Sequence, residues 1–179
     1  AWEWLSSMPE FTHLRREVPF KNSRFDLAFE HRGRQGFLEV KGVTLEENGV
    51  ARFPDAPTLR GVKHIRELTE IAKEGMDAAV LFVIQMKGVS RFEPNMATQP
   101  EFGLALKEAA EAGVRILAMD CLVSFDSVLS LTIDAPVPSS CHKRNTGQLK
   151  AGPGLSGSPV FIIPAMSRCR HFPCPARIS

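Results

Sequence analysis

The sequence predicts an α/β fold, a mixed sheet with helices on its faces. Three observations point there. Ala78–Gln85 (AAVLFVIQ) and Val114–Asp120 (VRILAMD) are short continuous apolar runs, the pattern of strands covered on both sides. A helix-like stretch with its own start and stop signals precedes each run, so helices cross over between neighbouring strands. Between Arg24 and Leu45 (RFDLAFEHRGRQGFLEVKGVTL) the apolar residues instead alternate with period two around a Gly-containing turn. The predicted order is helix, strand, strand, short strand, helix, strand, helix, strand, with no internal repeat.

Taken in order, residues 1–17 predict a helix with an irregular end that carries Glu17. Trp2, Leu5 and Met8 recur at spacing three, and Pro9 disturbs the pattern. VPFKNS is a turn. RFDLAF, the turn HRGRQG and FLEVKGVTL then form a hairpin. Its second strand puts Phe37, Glu39 and Lys41 on one face and Leu38 and Val40 on the other. EENG closes it, and VARF predicts a short third strand. Residues 54–75 predict a helix with Asp55 as N-cap, Pro57 in the first turn and Gly75 just past the end. Val62, Ile65, Leu68 and Ala72 form its apolar stripe; Arg60, Lys63, His64 and Glu67 cluster on another side. Residues 87–100 read as a loop. Pro100 and Gly113 bound a second helix, Cys121 ends a buried strand as a core residue, and 122–134 predict a last strand.

With 179 residues and 44% apolar composition, the chain can bury a real core. No apolar run reaches the roughly 18 residues of a membrane span. AWEWLSSMPEF has neither the basic nor the apolar region of a secretory signal, and it lacks an initiator Met, which predicts a true start upstream. The net charge of +2 hides an asymmetry: after Asp134 there are six basic residues and no acid. Residues 1–135 read as the folded domain. Residues 136–179 hold seven of the 13 prolines and three of the four cysteines, and read as a disordered or non-native tail. With Cys121 alone in the folded part, a disulfide framework is not expected, and a reducing cytoplasm fits. Cys169, His171 and Cys174, with Cys141 and His142, have enough ligands for zinc, but C-x-H-x-x-C is not a standard finger spacing. His13 and His31 look exposed and carry no assigned role.

The chemistry concentrates at Asp26, Glu39 and Lys41. Charges inside apolar strand sequence are costly unless they pair or hold a metal. The hairpin brings Asp26 beside Glu39, and two close carboxylates favour a cation between them. Mg²⁺ takes one or two carboxylates plus waters, so Asp26, Glu39 and the Val40 carbonyl make a partial shell. Lys41 shares the Glu39 face and can orient a water or stabilise charge on a phosphate. Such a set suits phosphodiester hydrolysis, with Glu17 as an auxiliary acid. The competing reading is a plain salt bridge from Lys41 to Glu39 or Asp26. Arg24 shares the Asp26 face and is expected to pair with an acid.

SRFDLAF, FLEVKGVTL and RFPDAPTLRGVKHIREL, followed at matching intervals by AAVLFVIQ and GVRILA, resemble the sugar fermentation stimulation protein A family over about residues 10–135. The resemblance implies a restriction-endonuclease-like αβββαβ core of the PD-(D/E)XK type. It makes Asp26 the first acid, Glu39 and Lys41 the E-x-K pair, and Glu17 the helix acid. It puts Asp55 and Arg60 in a motif beside the site, and tilts Arg60, Lys63 and His64 from a solvated helix face towards DNA contact. It implies Mg²⁺ or Mn²⁺ as cofactor, DNA as partner, and a regulatory role in sugar, notably maltose, metabolism. Three departures from the family are expected: its N-terminal OB-like domain is missing from this sequence, Gly42 stands where Ser is more usual, and the Pro/Cys-rich tail has no family counterpart. Two readings follow, a metal-dependent DNA nuclease and a DNA-binding regulator that keeps the nuclease scaffold without hydrolysis.

Overall fold

The computed structural model describes residues 1–125 and 129–141. A short helix, α1 (Trp2–Ser6), leads into strand β1 (Phe11–Phe20). Strands β2 (Ser23–His31) and β3 (Arg34–Val43) form the expected hairpin. Its turn is shorter than the sequence suggests: Arg32 and Gly33 alone make it, both with positive φ (52° and 76°), the backbone that closes a two-residue hairpin. A smaller hairpin follows, β4 (Leu45–Glu47) and β5 (Val50–Phe53). Helix α2 (Leu59–Lys73), β6 (Asp77–Ile84), β7 (Arg91–Pro94), α3 (Pro100–Glu111), β8 (Arg115–Phe125) and β9 (Leu129–Pro136) complete the order.

The main sheet has the order β1-β2-β3-β6-β8-β9. β3, β6 and β8 run parallel through the crossover helices α2 and α3, and the outer pairs are antiparallel, so the sheet is mixed as the sequence predicts. A second sheet, β4-β5-β7, stands beside it. Alternate residues of β3, β6 and β8 (Phe37, Val80, Phe82, Ile84, Ile116, Ala118) meet Val62, Ile65 and Leu68 of α2 and Phe102 and Leu106 of α3 in one core. Phe82 stacks on Phe92 of β7 with ring centres 4.3 Å apart and meets Phe53 of β5 at 5.6 Å, which ties the second sheet to the first. Among the described residues, no helix is long and apolar enough to cross a membrane.

Several sequence expectations are corrected. The helix predicted over 1–17 stops at Ser6, and Glu17 lies on β1, not on a helix. Thr58, not Asp55, caps α2: its Oγ1 accepts the Gly61 N–H at 2.9 Å, while the Asp55 carboxylate accepts only the adjacent Ala56 N–H. Pro57 therefore precedes the cap. Gly61 fits because a Cβ there would sit 2.7 Å from the Thr58 methyl group. The 87–100 stretch contains β7, a strand set by long-range pairing with β5. The chain also stays packed past 135: Val137 is buried in the core, and Ser139 bridges to Phe92.

Candidate active site

Asp26 and Glu39 come from the two strands of the hairpin at the point where those strands part. The β2–β3 ladder runs from His31 opposite Arg34 to Leu27 opposite Leu38. Beyond it β2 continues beside β1, and β3 continues beside β6. The Asp26 side chain bridges the gap, its Oδ2 accepting the Val40 N–H at 2.7 Å. Burial pushes the Asp26 carboxyl up, the Val40 N–H opposes that, and the nearby Glu39 charge pushes it up further. Asp26 and Glu39 are the next residues past the last ladder pair, Leu27 opposite Leu38.

Glu39 is 3% exposed. The Lys41 ammonium donates to its Oε1 at 2.6 Å, and His64 Nδ1 meets the same oxygen. A carboxylate accepts, so Nδ1 is the protonated nitrogen of the ring in this contact. Glu39 Oε2 is buried with no hydrogen-bond partner. The salt bridge from Lys41 to Glu39, the competing reading, is therefore present, and it is part-buried.

His64 is the residue the sequence reading misplaced. It is 4% exposed and points inward, whereas Arg60 and Lys63 stay exposed at the head of α2. A signal was present: His64 precedes Leu68 by four, which places it on the buried arc of the helix. Its ring lies 6.0 Å from that of Phe25. Glu17 is exposed on β1 with φ 53°, and its charge is one of the influences on Asp26. It pairs with Arg24 at 3.4 Å, the partner expected for that arginine.

Arg24, Arg60, Lys63 and His64 share the wall of a hollow of about 370 Å³. Lys63 donates to the Asn22 carbonyl at 2.6 Å and lies 3.8 Å from Glu67. Among the described residues, no group of three His, Cys, Asp or Glu side chains is gathered for a metal. Cys141 is half-buried against the core, and the other zinc candidates, His142, Cys169, His171 and Cys174, lie outside the described residues. His13 is exposed beside Glu30; His31 is buried beside Asp77, against its expected exposure.

The family model described as "Sugar fermentation stimulation protein RE domain" matches residues 1–127. The chain belongs to the sugar fermentation stimulation protein family. Among the family's proteins it is similar to the sugar fermentation stimulation protein homolog of Clostridium beijerinckii, 55% identical over 129 residues that cover 70% of this chain and 57% of that protein. The homolog of Desulfitobacterium hafniense Y51 is 53% identical over 128 residues, 70% of this chain and 56% of that protein. The chain thus spans a little over half the length of these curated relatives. Among solved structures it resembles Pyrococcus furiosus SfsA in complex with Ca²⁺, with a TM-score of 0.68 and 30% identity, over 78% of this chain and 59% of that one.

Proposed function

We propose that this domain hydrolyses phosphodiester bonds of DNA in the cytoplasm, with Mg²⁺ or Mn²⁺ held by Asp26, Glu39 and the Val40 carbonyl. One observation carries the reading. Glu39 is a buried carboxylate with one oxygen held by Lys41 and His64 and the other, Oε2, without a partner. A buried unpaired carboxylate oxygen is costly, and a divalent cation removes that cost. The raised Asp26 carboxyl beside it fits the same demand. The P. furiosus relative is a complex with Ca²⁺, which supports a divalent-cation site in this chain too.

The cation supplies charge neutralisation and an acidified water. The chain's own residues do the rest. Lys41 lies beside Glu39, within reach of a water or a phosphate oxygen, where its ammonium orients the one or stabilises charge on the other. His64 and Lys41 fix the Glu39 carboxylate. Glu17 is the auxiliary acid, and Arg60 and Lys63 face the DNA backbone.

A second reading, a non-catalytic DNA-binding regulator of sugar (maltose) metabolism, draws on a different observation. Lys41 and His64 already compensate Glu39, and no third acid or imidazole completes a ligand set among the described residues. The test incubates this chain and the full-length C. beijerinckii relative with single- and double-stranded DNA, in Mn²⁺ and in chelator. Metal-dependent cleavage that disappears in Lys41→Ala, with binding retained, is the expected result. Unaltered DNA at every metal concentration, with measurable affinity, selects the regulator.

A further inference from the structure

The hollow at the head of α2 has a chemistry that the carboxylate pair does not use. Its wall carries the side chains of Arg24, Arg60 and Lys63 and no carboxylate. Two of these cations are drawn elsewhere: Arg24 lies 3.4 Å from the exposed Glu17, and Lys63 reaches the Asn22 carbonyl and lies 3.8 Å from Glu67. Arg60 is exposed, and its side chain makes no ion pair or hydrogen bond with another described residue. The Ser23 hydroxyl is also in the wall, its oxygen buried and without a partner. The first turn of α2 has no acidic residue, so nothing there offsets the positive end of the helix dipole. Cations, a spare hydroxyl and no anion describe a receptor for a phosphate oxyanion.

Position gives the hollow its meaning. His64 forms part of its wall and touches Glu39 Oε1 with Nδ1. One imidazole therefore separates the hollow from the carboxylates. Such closeness suits neighbouring phosphates of one nucleic-acid strand, which carries a charge about every 3.4 Å of helix axis.

We propose that this hollow is a phosphate subsite, with Arg60 as its principal ligand and Lys63, Arg24 and Ser23 in support, and that it holds the phosphate next to the one at Asp26 and Glu39. The second half rests on the hydrolytic reading above; the first half does not. The wall carries three cations, which recognise the phosphate backbone and carry no sequence information.

The experiment separates the two halves. The full chain, free of metal, is titrated with inorganic phosphate and with thymidine 5′-monophosphate, followed by amide chemical shifts. The expected result is saturable shifts around Asn22–Arg24 and Arg60–His64, weakened about tenfold or more in Arg60→Ala and unchanged in Arg91→Ala, an exposed cation of β7 outside the hollow. Arg60→Lys, which keeps the charge and loses the fork, recovers part of the affinity. Because Arg60 is exposed, circular dichroism should show the variants folded. Absence of saturable shifts, or binding that Arg60→Ala and Lys63→Ala leave intact, overturns the subsite. Where cleavage occurs, a methylphosphonate next to the scissile linkage should raise KM in wild type and have little further effect in Arg60→Ala. Equal effects in both overturn the neighbouring-phosphate assignment while leaving metal-dependent cleavage standing.

Discussion

His64 Nδ1 of α2 and Glu39 Oε1 of β3 meet in the interior, 25 residues apart in sequence. The contact ties a crossover helix to the strand it follows, and it compensates a charge that would otherwise rest on Lys41 alone. Breaking such a pair from one side leaves an under-compensated buried charge, and Ala adds a cavity. We expect His64→Ala to lower unfolding stability by about 2–4 kcal/mol, measured by urea denaturation. His64→Gln keeps a donor near Glu39, and its loss should be smaller. Equal stability of wild type and His64→Ala would show that Lys41 suffices.

Asp26 gives a pH test. Its folded carboxyl holds a proton to higher pH than the unfolded value of 3.8 because it is desolvated. In the window between 3.8 and the raised value, the native state binds more protons than the unfolded one. Stability therefore falls as pH rises through that window, and above it the ionised carboxylate is a constant cost. Asp26→Asn can still accept the Val40 N–H, so it should be more stable than wild type at pH 7. The difference should shrink as pH falls towards 3.8. A difference that grows on acidification would mean Asp26 is stabilised as the anion.

Metal linkage follows from the same geometry. A cation that binds the folded site alone adds about 2.7 kcal/mol at a free concentration of a hundred times its Kd. Mn²⁺ should raise the Tm of wild type in a concentration-dependent way and leave that of Glu39→Ala nearly unmoved. The same rise in both proteins would place the ion elsewhere.

The hairpin was legible because burial on both sides demands apolar residues at successive positions: Phe37 and Leu38 are both buried, so Glu39 and Lys41 stand out as intruders. The buried strands β6 and β8 were legible for the same reason. β1 was not. It is an edge strand with solvent along much of its length, and the register shift between Thr12 and Arg15, with positive φ at His13 and Glu17, erases the alternation. β7 exists through its pairing with β5, some forty residues earlier in the chain, which no local pattern announces. Asp26, Glu39 and Lys41 could be found by charge in the wrong place. His64 could not be found that way, since an imidazole on an apolar arc is unexceptional until its partner on another element is seen.

The corrected start of α2 is itself testable. Thr58 Oγ1 satisfies the Gly61 N–H, and the Thr58 N–H donates to Gln99 at 2.8 Å, which ties the cap to α3. Thr58→Ala should cost about 1 kcal/mol, and Asp55→Ala less than about 0.5 kcal/mol, by thermal or urea unfolding. The order matters beyond stability, because α2 presents Arg60, Lys63 and His64. A frayed first turn should loosen Arg60 first, visible as faster amide exchange at 60–62 in Thr58→Ala than in Asp55→Ala.

At the far end of the hairpin, His31 is buried beside Asp77, whose carboxylate also takes Arg34 at 2.5 Å. The ring stacks on Phe11 with centres 5.0 Å apart. Burial lowers the His31 pKa from 6.5, and Asp77 offsets part of that. Between the lowered value and 6.5 the unfolded chain binds more protons than the folded one. The stability His31 contributes is thus fully present above 6.5 and is lost as pH falls through the lowered value. This slope is opposite in sign to that of Asp26, so the two are separable by variant. His31→Phe keeps an aromatic ring against Phe11 and cannot titrate. The acid-side loss in wild type should exceed that in His31→Phe as pH falls below 6.5, measured by urea unfolding at each pH. Parallel curves would mean that Asp77 compensates the imidazolium fully in spite of the nearby Arg32, Arg34 and Arg115, and the buried cluster would then be insensitive to protonation.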